Sequence, residues 1–245
     1  MRSKGHKNQS KTKKKKNGIP NPYNRIKEES HLTKDLDLKC IASICQDNDL
    51  EDLKIFFSRS YIYLDYKKLL KLFPKHMSVS KIETLDSEYF ISSIFGFCNY
   101  LDIKTNIKNN LVTEIDAILD RLEADHKFEQ NMVRYVVSER IVNLPINIFM
   151  ENLKNIEIEN YIYIYISKLF KIEEENKNEV FSTFKEFKKD DLICFPDKAE
   201  EIFLIKYSLI SKVINISNVN FRISVLDHKS MKKYFYKIFE ETINK

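Results

Sequence analysis

Apolar residues recur along the chain at two spacings, and the switch between spacings marks the elements. "LDLKCIAS", from Leu36, alternates apolar and polar positions, as a strand with one buried face does. "DLEDLKIFFSR" changes to helical spacing through Leu53, Phe56 and Phe57, and "LDYKKLLKLF" repeats it through Leu69, Leu70 and Phe73. "KIETL" and "EYFISSIFGF" return to strand character. The clearest helix is "TNIKNNLVTEIDAILDRLEADHK". Its Ile107, Leu111, Ile115, Ile118, Leu119 and Leu122 line one face, which needs a flat apolar surface to pack on.

In "VRYVVSERIVNLPINIF" Val133, Tyr135 and Val137 alternate with Arg134, Val136 and Ser138, predicting a strand. Pro145 falls in the first turn of the following helix, "INIFMENLKN", where its missing N–H costs nothing. In "YIYIYISKLF" Ile162, Ile164 and Ile166 take one strand face and Tyr161, Tyr163 and Tyr165 the other. Both faces need cover, as in a central strand with helices on each side. Strand, short helix and strand at this spacing form a βαβ unit, for which a right-handed crossover is expected. "EIFLIKYSLI" and "NFRISVL" read as further strands. The last helix carries Met231, Tyr234, Phe235, Ile238, Phe239 and Ile243 on one face. The expected fold is α/β, a single mixed sheet flanked by helices, over residues 31–245.

Residues 1–30 lack this periodicity and read as a disordered basic tail. Residues 1–20 hold Arg2, seven lysines and no acid; this +8, set against +5 for the whole chain, leaves a body of −3. Lys13, Lys14, Lys15 and Lys16 form a candidate nuclear import signal or RNA-binding arm, although an AT-biased genome also enriches solvated tails in lysine. No apolar run approaches the roughly 20 residues that cross a bilayer, and the basic N-terminus does not read as a secretory signal. Cys40, Cys45, Cys98 and Cys194 form no Cys-x-x-Cys pair, which argues against zinc and for a reducing compartment. Only Gly5, Gly18 and Gly96 are present, too few and too scattered for phosphate-cradling loops. No cofactor and no small-molecule substrate are expected.

Ser138-Glu139-Arg140 sits at a strand end as if set out for catalysis. Ser138 has no G-x-S-x-G elbow and no histidine marked as its base, so the three residues read as structural, with Glu139 and Arg140 pairing to neighbours. Glu114, Asp116, Asp120, Glu123 and Asp125 decorate the long helix, and Glu173, Glu174 and Glu175 follow the Tyr/Ile strand. Such acids are an ordinary solvated surface or a contact for a basic partner; Glu114, Asp116, Asp120 and Glu123 are the candidate client contacts. Exposed, Tyr161, Tyr163 and Tyr165 would stack on RNA bases; a two-sided strand core is the favoured use.

"SERIVNLP" resembles the signature of the BCCIP family: Ser-Glu-Arg, an apolar residue, Asn, an apolar residue, Pro. "YIYIYISKLF" is similar to that family's aromatic strand ending in Ile-Ser-Lys, and "DNDLEDLKIFF" and "IFGFCNYL" to its Asp-Asn-Asp helix start and Phe-Gly-Phe strand. "AEEIF" and "FRISVLDHKSMKKYFYKIF" sit where the family has a Glu-Glu strand and a closing strand–helix pair. The ordered matches span residues 35–240, with a shortened segment between Lys171 and Asp197. The resemblance implies a fold like the GNAT acetyltransferases without their cofactor loop or activity. It implies a nuclear chaperone, shuttling to the cytoplasm, for one basic ribosomal protein, universal large-subunit protein fourteen, with a role in nuclear protein export; importins are expected as partners of the Lys13–Lys16 signal instead. The family opens on an acidic stretch, whereas this chain opens on a basic one. That departure brings in a second expectation, a ribosome-binding factor docking on pre-ribosomal RNA through its tail. No membrane partner is expected.

Overall fold

The computed structural model describes residues 39–60, 72, 77–83, 88–106, 110–125, 127–141 and 144–243. The lysine tail, Ile107 and the "LDYKKLLKLF" segment apart from Leu72 lie outside the described residues.

Eight strands form one mixed sheet. They are β1 (Cys40–Ile44), β2 (Met77–Glu83), β3 (Tyr89–Asn99), β4 (Val133–Arg140), β5 (Ile162–Lys171), β6 (Cys194–Pro196), β7 (Ile210–Ile216) and β8 (Val219–Asp227). The order is β1-β2-β3-β4-β5-β8-β7, with β6 added to β5 off this path. All neighbours are antiparallel except β4 and β5, which run parallel through Val133↔Ile162, Arg134↔Tyr163 and Tyr135↔Ile164. The expected βαβ unit is therefore present, with α4 (Ile146–Lys154, numbered in chain order) as its connecting helix.

The other described α-helices are α1 (Leu50–Ser60), α2 (Tyr100–Asn106), α3 (Asn110–Asp125), α5 (Glu174–Thr183), α6 (Leu204–Tyr207) and α7 (His228–Ile243). Helices cover both faces. On one, Leu53 and Phe57 of α1, Ile103 of α2, and Leu111, Ile115, Ile118 and Leu122 of α3 pack on Val79, Ile94, Tyr135, Val137, Ile164 and Ile223. On the other, Phe149 and Leu153 of α4, Leu204 of α6, and Met231, Tyr234, Phe235 and Ile238 of α7 pack on Phe95, Val136, Tyr163 and Tyr165. The two faces read for the Tyr/Ile strand are thus the two cores: Ile164 enters the first, Tyr163 and Tyr165 the second. Burial on both sides explains why β5 lacks polar alternation.

A polar seam fixes α4 to the sheet. Asn152, fully buried, donates through Nδ2 to Ser93 Oγ at 2.8 Å and accepts from Ser78 Oγ at 2.9 Å. Ser80 Oγ donates to the Ile148 carbonyl at 2.9 Å. Three serines that would read as an exposed strand face are buried because α4 brings their partners.

Three expectations need correction. "EIFLIKYSLI" is not a strand: a 3-10 turn (Ala199–Phe203) leads into α6, and β7 begins at Ile210. Ile202, Phe203 and Leu204 are consecutively buried, and periodicity cannot tell such a run from a buried strand. The helix expected from Thr105 begins at Asn110 within the described residues, with α2 before it. Pro145 is the N-cap of α4, not a residue of its first turn; its carbonyl accepts from the Ile148 amide at 3.1 Å. β7 (Ile210–Ile216) is a further strand that the residue pattern does not predict. It joins β8 through a two-residue turn at Ser217 and Asn218, with φ of 51° and 66°. Hairpin turns of this kind usually carry glycine, so the residues gave no signal.

Candidate functional site

Ser138, Glu139 and Arg140 end β4 at the place where β4 and β5 part. The parallel ladder stops after Tyr135 and Ile164. Farther along, β5 pairs instead with β6, through Leu169↔Pro196 and Phe170↔Phe195. The 3-10 turn that follows β6 turns three charged side chains into the interior: Lys198, Glu200 and Glu201, all buried.

Lys198 and Glu200 meet groups from β4, and Glu201 meets Lys198 and Tyr165 of β5. Arg140 grips Glu200 with two parallel bonds, Nε to Oε1 at 3.1 Å and Nη2 to Oε2 at 3.2 Å. Its Nη1 donates to the carbonyls of Leu144 at 3.2 Å and Ile141 at 3.5 Å. The guanidinium therefore ties strand end, turn and 3-10 segment together, in the geometry that makes arginine better than lysine here. Lys198 Nζ donates to the Ser138 carbonyl at 2.6 Å and lies 3.0 Å from Glu201 and 3.3 Å from Glu139. Tyr165 Oη donates to Glu201 Oε1 at 3.2 Å, and Tyr234 packs edge-on against Tyr165.

The electrostatics follow from burial and pairing. Burial pushes Glu200 up, but the Arg140 charge and hydrogen bonds outweigh it and hold the carboxyl below its ordinary value. Burial would strip Lys198 of its proton, but Glu139 and Glu201 hold its value above that of an ordinary lysine. Glu201 is the loser of the cluster. Burial lifts it to about 7: the Lys198 ammonium opposes the rise, while the neighbouring Glu200 and Glu139 carboxylates add to it.

This arrangement is poorly suited to acyl transfer or hydrolysis by Ser138. The nearest amine, Lys198, is held protonated and cannot accept the serine proton. Ser138 is 3% exposed, so no substrate reaches it without moving Lys198 and the turn. Glu139 and Arg140 do pair with neighbouring groups, and Arg140 holds the turn toward α4. Those neighbours, Lys198, Glu200 and Glu201, were missed as site residues. The one hint was "AEEIF", two adjacent glutamates leading an apolar run.

The acids of α3 divide. Glu114 accepts from Lys212 of β7 at 2.6 Å, and Asp116 accepts from Tyr100 Oη at 3.0 Å and pairs with Lys104 at 3.1 Å. Asp120 and Glu123 are exposed. Glu123 stands on an open cleft of about 680 Å³ shared with Phe128, Glu129, Met132, Tyr161 and Asp227. Tyr163 and Tyr165 are buried; Tyr161 is half-buried beneath the Arg134 guanidinium, 3.7 Å from its ring centre. Among the described residues no group of three or more His, Cys, Asp or Glu is placed to hold a metal, and no helix is long and apolar enough to cross a membrane. The four cysteines are unpaired.

These features define an α/β protein with one mixed sheet, helices on both faces, and a strand fork closed by the chain's own ion pairs. The crystal structure of BCP1 from Saccharomyces cerevisiae, the BCCIP family's yeast member, has this fold. It superposes with a TM-score of 0.58 over 84% of this chain and 90% of that one, at 13% identity. That identity makes the likeness one of fold. No protein-family model and no curated protein matches the sequence.

Proposed function

We propose that the chain is a reduced BCCIP-family protein, a non-enzymatic nuclear chaperone for a basic large-subunit ribosomal protein, universal large-subunit protein fourteen. It shields the client's RNA-binding surface until ribosome assembly and takes part in nuclear protein export. The observation that carries the reading is the BCP1 fold over almost the full length of both chains, joined to the ordered BCCIP-like segments. The fork at Ser138 supports it: its buried charges are committed to ion pairs that brace the fold. Asp120 and Glu123, exposed on α3, supply charge that would speed capture of a basic partner. Glu114 and Asp116, committed to Lys212 and to Lys104 and Tyr100, are secondary candidates. Lys13 to Lys16 serve nuclear import, read by importins.

Solubility of the client tests this. The organism's own universal large-subunit protein fourteen, expressed alone, is expected to precipitate at low salt, and co-expression with the full chain is expected to keep it soluble. Precipitation to the same extent in both would sink the proposal.

A further inference from the structure

We propose that the solvent face of α7 is a docking surface for single-stranded RNA. The helix buries Met231, Tyr234, Phe235 and Ile238 against the sheet. At 3.6 residues per turn, Lys229, Lys232, Lys233 and Tyr236 fall together on the opposite side, within about 100° of arc, and the tyrosine projects between the lysines. All four are exposed. Among the described residues no carboxylate pairs with any of the three lysines, whereas Lys237, beside them, is paired with Glu241 at 2.7 Å. The nearby acids are few. Asp227 is occupied in capping the helix, accepting from the Ser230 amide at 2.7 Å, and Glu240 stands one turn beyond Tyr236.

Tyr236 decides what the face is for. At 68% it is the most exposed large apolar side chain among the described residues. Phosphates answer the lysines and the flat face of a base answers the ring, so RNA uses all four side chains at once. An acidic protein segment would leave the ring idle. A membrane would need an apolar stripe, and that stripe of α7 is already spent on the core. From Lys229 to Tyr236 the helix rises about 10 Å, the length of about three stacked nucleotides. α7 packs on the sheet face opposite α3, so a basic client held by the α3 acids and RNA have separate faces.

The test is fluorescence anisotropy of the full chain with a labelled ten-nucleotide oligouridylate over a series of salt concentrations. Lys229→Glu, Lys232→Glu and Lys233→Glu together are expected to weaken binding at least tenfold and to lower the salt slope by about 2, at about 0.7 per phosphate contact. Tyr236→Ser is expected to weaken binding about fivefold or more, the loss of one stacked base. A control with the same charge change on other exposed lysines, Lys171→Glu, Lys185→Glu and Lys188→Glu, is expected to stay within about twofold of the unaltered chain, since it leaves the α7 contacts in place. The proposal is overturned if the control loses as much as the α7 variant, which would assign binding to overall charge. It is equally overturned if Tyr236→Ser binds unchanged, or if an oligoglutamate peptide displaces the chain as well as RNA does.

Discussion

Replacing Arg140 by methionine removes the guanidinium and keeps much of its apolar bulk. Both side chains of the Arg140–Glu200 pair are almost sealed from water, at 3% and 4% exposure, so solvent screening of the pair is slight. The variant leaves the Glu200 carboxylate buried with no partner for its charge except the more distant Lys198. It also strips a donor from the Leu144 carbonyl. Breaking a buried pair on one side costs about 3–5 kcal/mol, a large part of the roughly 5–15 kcal/mol that holds a domain folded. The orphaned carboxyl escapes part of that cost by taking up a proton, so Arg140→Met should lose less at pH 5 than at pH 8. Adding Glu200→Leu removes the orphan, and the double variant should recover at least about 2 kcal/mol over the single one. Urea denaturation of the unaltered chain, Arg140→Met, Glu200→Leu and the double variant, followed by circular dichroism at both pH values, measures each term. A loss under about 1 kcal/mol for Arg140→Met, or no recovery in the double variant, would refute the view that Arg140 is a brace.

Glu201 titrates at about 7 in the fold against an ordinary 4.5, so the folded protein holds a proton that the unfolded chain has released. Its contribution is full below about pH 4.5, shrinks by about 3 kcal/mol as pH rises to 7, and is flat above; Glu201→Gln should remove that slope in denaturation curves taken from pH 5 to 8. Asn152→Leu strands Ser78 and Ser93 beneath α4 and should cost about 2–4 kcal/mol in the same assay, a substitution within about 0.5 kcal/mol of neutral being the contrary result. Ser217→Gly relieves a left-handed backbone at the β7–β8 turn and should raise the melting temperature by a few degrees, worth about 0.5–1 kcal/mol; a fall would show that the turn is not held as described.

How much was legible in the sequence depended on how far local pattern and tertiary contact agreed. The α3 face from Leu111 to Leu122 and the two faces of β5 could be read because one residue type repeats at one period. The segment from Ala199 to Tyr207 could not, since Ile202 to Leu204 are buried in a run that fits strand or helix equally, and the ion pairs of Lys198 and Glu200 with β4 fix a 3-10 turn leading into α6. The role of Arg140 was half legible. Its place at a strand end before a proline-led helix follows from the residues around it, but Glu200, its partner, lies 60 residues away. Burial of Ser78, Ser80 and Ser93 was illegible for the same reason, as no local feature announces Asn152 above them.

Whether the chain holds its client is tested most directly by the stoichiometry of the complex. The full chain co-expressed with its organism's universal large-subunit protein fourteen should elute from gel filtration as one species with the mass of a stoichiometric complex by light scattering. Asp120→Lys with Glu123→Lys should weaken that complex while leaving the fold intact. Separate elution, with the ribosomal protein aggregated and this chain alone, would contradict the chaperone reading and leave the likeness to BCP1 as one of fold.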